Sequence, residues 1–151
     1  MNKDDFENYI KDRYQSQIDW YDKKSMANQK MYQRLQFSLI VLSSLTPILI
    51  LIDQLKELEK YNSLFWVPAV TSVLVAIITT LIKTYRFQEN WINYRTTCES
   101  LKKELHYYEA NLDEYMDSKN KESVFVNRVE NLISRENTLW LHTQKPPKDQ
   151  K

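Results

Sequence analysis

Glycine is absent from all 151 residues, and cysteine occurs once, at Cys98. Without glycine the chain cannot build a glycine-dependent phosphate cradle, and it lacks the residue that tight turns and close helix crossings favour. Long helices with few sharp turns are the simplest reading. A single thiol excludes an internal disulfide and any cysteine-cluster metal site. Charge of one sign is lacking too: 21 Lys and Arg against 20 Asp and Glu leave a net charge of +1, which gives no field for nucleic acid. The opening MNKDDFENYIKDRYQ is charged and has no apolar core, so no cleavable signal is expected there. No nucleophile elbow and no HExxH occurs, and the carboxylates alternate with Lys and Arg as on solvated helix faces. His106 and His142 have no Cys or His at ligand spacing and read as ordinary helix residues. The expectation is a protein that is not an enzyme, with no metal and no cofactor.

Two charge-free apolar runs stand out against the polar remainder. Residues 35–52 read LQFSLIVLSSLTPILILI and residues 64–82 read LFWVPAVTSVLVAIITTLI. As helices they measure about 27 and 28 Å, close to the hydrocarbon thickness of a bilayer. Helices buried in a soluble bundle normally keep one polar face, and these runs carry no charge on any face. They are expected to be transmembrane helices joined by an external loop, 53–63.

Orientation follows from basic residues. Lys23, Lys24, Lys30 and Arg34 precede the first run, and Lys83, Arg86, Arg95 and Lys102 follow the second, whereas the loop holds only Lys56 and Lys60. The positive flanks belong in the cytoplasm, so both termini are expected there. Trp66 and Tyr61 then fall at the outer interface, Tyr32 and Tyr85 at the inner one. Pro47 is interior to the first run and should bend it, while Pro68 sits near the start of the second, where a missing N–H matters little. Pro68, Ser72, Ala76, Thr79 and Lys83 recur at helical spacing as a small or polar stripe. That stripe reads either as a face packed on a neighbouring helix or as the lining of a hydrated path in an oligomer.

Phe87, Trp91, Tyr94, Cys98, Leu101, Leu105, Tyr108, Leu112 and Tyr115 step by four and three without a miss, which is a coiled-coil seam. It predicts a cytoplasmic arm over 83–115 that continues the second span as one helix. Cys98, being in the seam, reads as a small buried hydrophobe rather than a reactive thiol. Phe6, Ile10, Tyr14, Ile18, Tyr21, Tyr32 and Leu35 make a weaker stripe on an amino-terminal arm, 1–34, running into the first span. Two helices joined by a short loop should lie antiparallel, with residues at one level numbering about 117 together. That sets Asp22 beside Arg95 as a pair fixing the register of the arms. The polar MDSKNKES reads as a turn; Phe125, Val129, Leu132, Ile133 and Trp140 mark an amphipathic helix, 123–142, folded back on the arms, and 143–151 is a frayed tail.

The segments QIDWYDKKSMANQKMYQRLQ (17–36) and YRFQENWINYRTTCESLKKELHYY (85–108), placed on either side of the two spans, resemble the bacterial SLATT family, as does FVNRVENLISRENTLW (125–140). FQENW and the YR pairs are the most specific portions. The resemblance implies a single two-transmembrane effector domain over 1–142 in the bacterial inner membrane. It also implies an oligomer that permeabilises the membrane in anti-phage or other conflict-system defence. No sensor is fused, so the trigger would come from a separate cytosolic sensor or nucleotide-signalling protein. The expected fold is an all-α membrane protein, a two-span helical hairpin extended into long antiparallel cytoplasmic helices. Its expected partners are the lipid bilayer and further copies of itself. The other reading is a non-conducting scaffold or anchor whose arms dock a cytosolic partner.

Overall fold

The structure is a computed structural model that describes residues 2–54 and 66–144, and their side chains except at residues 3, 52–54 and 136–144. All the regular elements among the described residues are helical: α1 (Lys3–Asn8), a π-helical segment (Tyr9–Tyr14), α2 (Gln15–Gln54), α3 (Trp66–Tyr85), α4 (Phe87–Glu109), a 3-10 turn (Asp113–Tyr115) and α5 (Lys121–Gln144). Most of the loop expected over 53–63, the tail from 145 onward and the Trp140 side chain fall outside what is described. The chain divides into two compact units, one made of Met1–Met26 with Trp91–Lys151 and the other of Ala27–Asn90.

The first unit has an aromatic core. Phe6, Tyr14, Ile18 and Tyr21 from the amino-terminal helices meet Cys98 and Leu101 of α4, Tyr115 of the 3-10 turn, and Phe125, Val129 and Ile133 of α5. Phe125 lies within 5.3 Å of both the Tyr14 and Tyr108 rings and 5.7 Å from Phe6 at an 82° interplanar angle, the tilted and edge-on contacts that aromatic quadrupoles prefer. The amphipathic carboxy-terminal helix expected from the sequence is thus packed by its apolar stripe.

The π-helical segment has a reason in the sequence. Phe6, Ile10, Tyr14 and Ile18 are spaced four apart each time, and on an α-helix each such step overshoots by about 40°, so that Ile18 would drift about 120° from Phe6. The wider turn between Tyr9 and Tyr14 takes up part of this drift. Phe6, Tyr14 and Ile18 are consequently all buried in one core.

The second unit is unlike the first. None of its described residues is buried, and Phe37 (69% exposed), Leu51 (59%) and Val73 (58%) stand open. The less exposed positions include Leu35, Leu39, Leu42, Thr46 and Leu49 on α2 and Val67, Thr71, Val75, Ile78 and Ile82 on α3, each set spaced as one helical stripe, with Pro68 and Thr79 beside the second. The stripes touch at Thr46, whose hydroxyl donates to Thr71 Oγ1 at 3.1 Å, and the Thr71 hydroxyl in turn donates to the Pro68 carbonyl at 2.9 Å. Pro68 is the third residue of α3, where no intrahelical N–H is needed, and Pro47 lies inside α2.

Two expectations need correcting. The second span does not run unbroken into the arm: Arg86 has φ 48° and separates α3 from α4. Its N–H still bonds Ile82 O at 3.2 Å and its carbonyl accepts from Asn90 N–H at 3.0 Å, so one residue carries the whole interruption. Asn90 Nδ2 donates to Tyr85 O at 3.1 Å, satisfying the carbonyl at the end of α3. The seam is also shorter than its spacing suggests. The helix ends at Glu109, so Leu112 lies in a turn at 46% exposure, and Tyr115 reaches the core from a 3-10 turn.

That end of α4 is a Schellman motif. Asn111, with φ 56°, takes the left-handed position that glycine usually fills; its N–H bonds Tyr108 O at 3.2 Å and Leu112 N–H bonds Tyr107 O at 3.0 Å. Asn is the next residue to tolerate this conformation, and here there is no glycine to use. α5 is capped by Asn120, whose Oδ1 accepts from Ser123 N–H at 3.2 Å.

Candidate functional site

Polar groups tie the first unit together at successive levels. The Tyr14 hydroxyl donates to Leu101 O at 2.8 Å, the Cys98 thiol approaches Ile18 O at 3.8 Å, and Ser25 Oγ reaches Trp91 O at 3.5 Å. Between them Arg95 Nη1 stands 3.5 Å from Asp22 Oδ1, the pair the sequence sets side by side. Arg95 also holds Glu99 at 2.8 Å, and it is half exposed, so the pair gives register more than energy. Burial pushes the Cys98 thiol above its usual range, which suits a packing residue. Tyr14 is pushed up to about 12, also by burial.

Two clusters lie outside what the spacing of apolar residues could show. Glu104 is buried among the α4 seam residues, accepts from the Tyr115 hydroxyl and lies 2.5 Å from Arg128 Nε of α5. The same guanidinium reaches Asp113 at 3.3 Å and Glu114 at 3.2 Å. Burial and the bond to Glu104 raise the Tyr115 phenol, and the bond to Glu104 raises Arg128. In the other cluster Arg13 grips Glu130 with two bonds of 3.2 Å while the Tyr9 hydroxyl donates to Glu130 at 3.0 Å. The Arg13 bonds hold the Glu130 carboxyl below its usual range, and burial followed by the Glu130 bond raises Tyr9. Every buried side-chain polar atom among the described residues has a partner. These are structural ties, and only the residue types, not their spacing, hinted at them.

Beside the second cluster is an open groove of about 480 Å³ lined by Arg13, Ser16, Gln17, Trp20, Tyr21 and Ile133. Trp20 is 44% exposed there and sits edge-on to Tyr94. Among the described residues no group of three or more His, Cys, Asp and Glu could share a metal ion.

On the stripe, Ser72, Ala76 and Lys83 are exposed and Pro68 and Thr79 are half-buried. Ser72 donates to Pro68 O at 2.8 Å and Thr79 to Val75 O at 2.8 Å, so each hydroxyl proton is satisfied within α3. Of the seam residues, Cys98, Leu101 and Tyr115 are buried; Phe87, Trp91, Tyr94, Leu105 and Tyr108 are half-buried.

The fold defines an all-helical protein with two helices long and apolar enough to cross a membrane; no residue in the most apolar stretch of the first is buried. The chain belongs to the family described as Protein of unknown function (DUF4231), which it matches over residues 16–123. The match covers α2, α3, α4 and the 3-10 turn and stops just inside α5, short of Phe125, Arg128 and Glu130. No curated protein and no solved structure matches the chain.

Proposed function

We propose that the chain is a two-pass protein of the bacterial inner membrane whose copies assemble and permeabilise the bilayer, the effector role implied by the resemblance to the SLATT family. In this reading α2 and α3 cross the membrane antiparallel and both termini are cytoplasmic. The observation that carries the membrane part is the second unit: two apolar helices with no buried residue among those described and with large apolar side chains such as Phe37, Leu51 and Val73 standing open. Such a surface is stable in hydrocarbon and not in water. The antiparallel arrangement is supported by the contacts Tyr14–Leu101, Asp22–Arg95 and Thr46–Thr71, whose numbers total 115 to 117, as the short connection requires.

Permeation needs more than two helices, so copies must enclose the path. Ser72 and Ala76 form an exposed line of small side chains on α3, with half-buried Thr79 beside it, suited to face a hydrated centre, and Lys83 lies beyond it at the end of the span. The trigger is a separate cytosolic protein. The scaffold reading keeps one observation in its favour, the groove around Trp20, which would suit a docking partner.

Release of an entrapped dye from liposomes containing the purified chain separates the two. The effector reading expects release, and expects Ser72→Leu with Thr79→Leu to abolish it at unchanged protein level, because wide apolar side chains narrow and dewet a pore. If those changes instead lower assembly, the stripe is a packing face, where overpacking costs about 1–3 kcal/mol. No release from the parent protein leaves the scaffold reading in front.

A further inference from the structure

Lys30, Arg34, Lys83 and Arg86 flank the apolar segments of the second unit, and all four are exposed. Residues 27–52 and 66–90 contain one carboxylate, Glu89, which is 2.9 Å from Arg86. Arg34 stands 12 residues before Thr46 on α2, and Lys83 stands 12 residues after Thr71 on α3. Each lies about 18 Å along its helix from the one point where the two hydroxyls meet. Lys30 and Arg86 follow one turn farther out on each helix, and Tyr32 and Tyr85 fall between. Tyr85 is 57% exposed and stacks on Phe87 at 5.5 Å, an arrangement suited to the headgroup layer.

Resting on the two-pass, antiparallel reading, we propose that Lys30, Arg34 and Lys83 form a docking surface for the headgroups of anionic phospholipid. Arg34 and Lys83 at one level, with Lys30 one turn beyond and Glu89, the single carboxylate of these segments, already held by Arg86, leave positive charge that a net-negative headgroup compensates. Its phosphate oxygens accept charge-assisted hydrogen bonds from ammonium and guanidinium. A zwitterionic lipid offers the same phosphate but brings its own ammonium, and so compensates nothing. The surface therefore selects lipid by net charge, and it holds α2 and α3 at a fixed depth.

The test uses the full chain purified in neutral detergent and titrated with phosphatidylglycerol, phosphatidylcholine or inorganic phosphate, read by melting temperature and by lipids retained in native mass spectrometry. Phosphatidylglycerol is expected to raise the melting temperature by about 5 °C more than phosphatidylcholine. Lys30→Gln, Arg34→Gln and Lys83→Gln should each weaken that binding by about fivefold, with melting in phosphatidylcholine unchanged. Equal shifts with the two lipids, an equal shift with inorganic phosphate, or full binding by the triple variant overturns the proposal. Carbonate extraction of membranes from the same cells separates the causes. A chain that stays in the pellet without lipid selectivity loses only this surface, and a chain released to the supernatant loses the two-pass reading as well.

Discussion

Glu104 is the buried carboxylate of the first unit's core, and its charge is matched by Arg128, whose side chain is 28% exposed. Arg128→Ala would leave that carboxylate with the Tyr115 hydroxyl alone, at a cost of about 2–3 kcal/mol, below the full value for a wholly buried pair because solvent reaches the guanidinium. A fall in the melting temperature of the purified chain, larger than for Arg13→Ala at the exposed Glu130 pair, is the expected result. The same phenols give a pH dependence. Tyr9 and Tyr115 are raised above the ordinary phenol value, so the stability they lend is fully present below about pH 10 and is lost as pH rises through their folded values. Glu130 is lowered, so its contribution is present above the ordinary carboxylate range and is lost as pH falls through its folded value. Melting followed from neutral to strongly alkaline pH should decline only beyond about pH 10, with phenolate absorbance appearing late. The pairing of these ties could not be read from residue spacing, because a Glu within an amphipathic pattern looks the same whether its Arg partner is 24 residues away or absent.

At the scale of elements, the helices and their apolar faces were legible and their ends were not. Period-3.6 spacing located the apolar face of α4 as far as Tyr108 and that of α5 from Phe125 to Ile133, because burial of those faces is what fixes the helices. The spacing carried on through Leu112 and Tyr115, although the chain had already turned at Asn111. Termination here depends on a left-handed residue, and without glycine the signal was an asparagine among many polar residues. Arg86 is harder still: nothing in TYRFQEN demands a positive φ, and the compensating bond from Asn90 is recognisable only once the turn is seen. Asn111 supplies a direct check. Asn111→Ala should cost about 1 kcal/mol and Asn111→Gly should cost nothing or stabilise slightly, as a backbone held at φ 56° requires. Equal melting temperatures for the two variants would mean that the turn rearranges.

For the whole molecule, the sequence marks off two charge-free runs, 35–52 and 64–82, inside one expected domain, whereas the structure divides into a unit with a buried aromatic core and a second unit, Ala27–Asn90, that holds both runs and eight further residues beyond each outer end. A unit with no buried residue among those described gains little from its own hydrophobic effect in water, and in the proposed reading lipid supplies the missing partner. Permeation, assembly and lipid selection all presuppose that α2 and α3 cross a bilayer with the arms on one side. Site-directed cysteine labelling tests this most directly. With Cys98, the chain's own thiol, replaced by Ser, single cysteines are placed at Asn62, at Gln15 and at Ser134, and intact cells are exposed to a membrane-impermeant maleimide. The orientation set by the basic flanks predicts labelling at position 62 in intact cells, and labelling at positions 15 and 134 only after the membrane is opened. Labelling at 15 or 134 in intact cells, or at 62 only after opening, would contradict it.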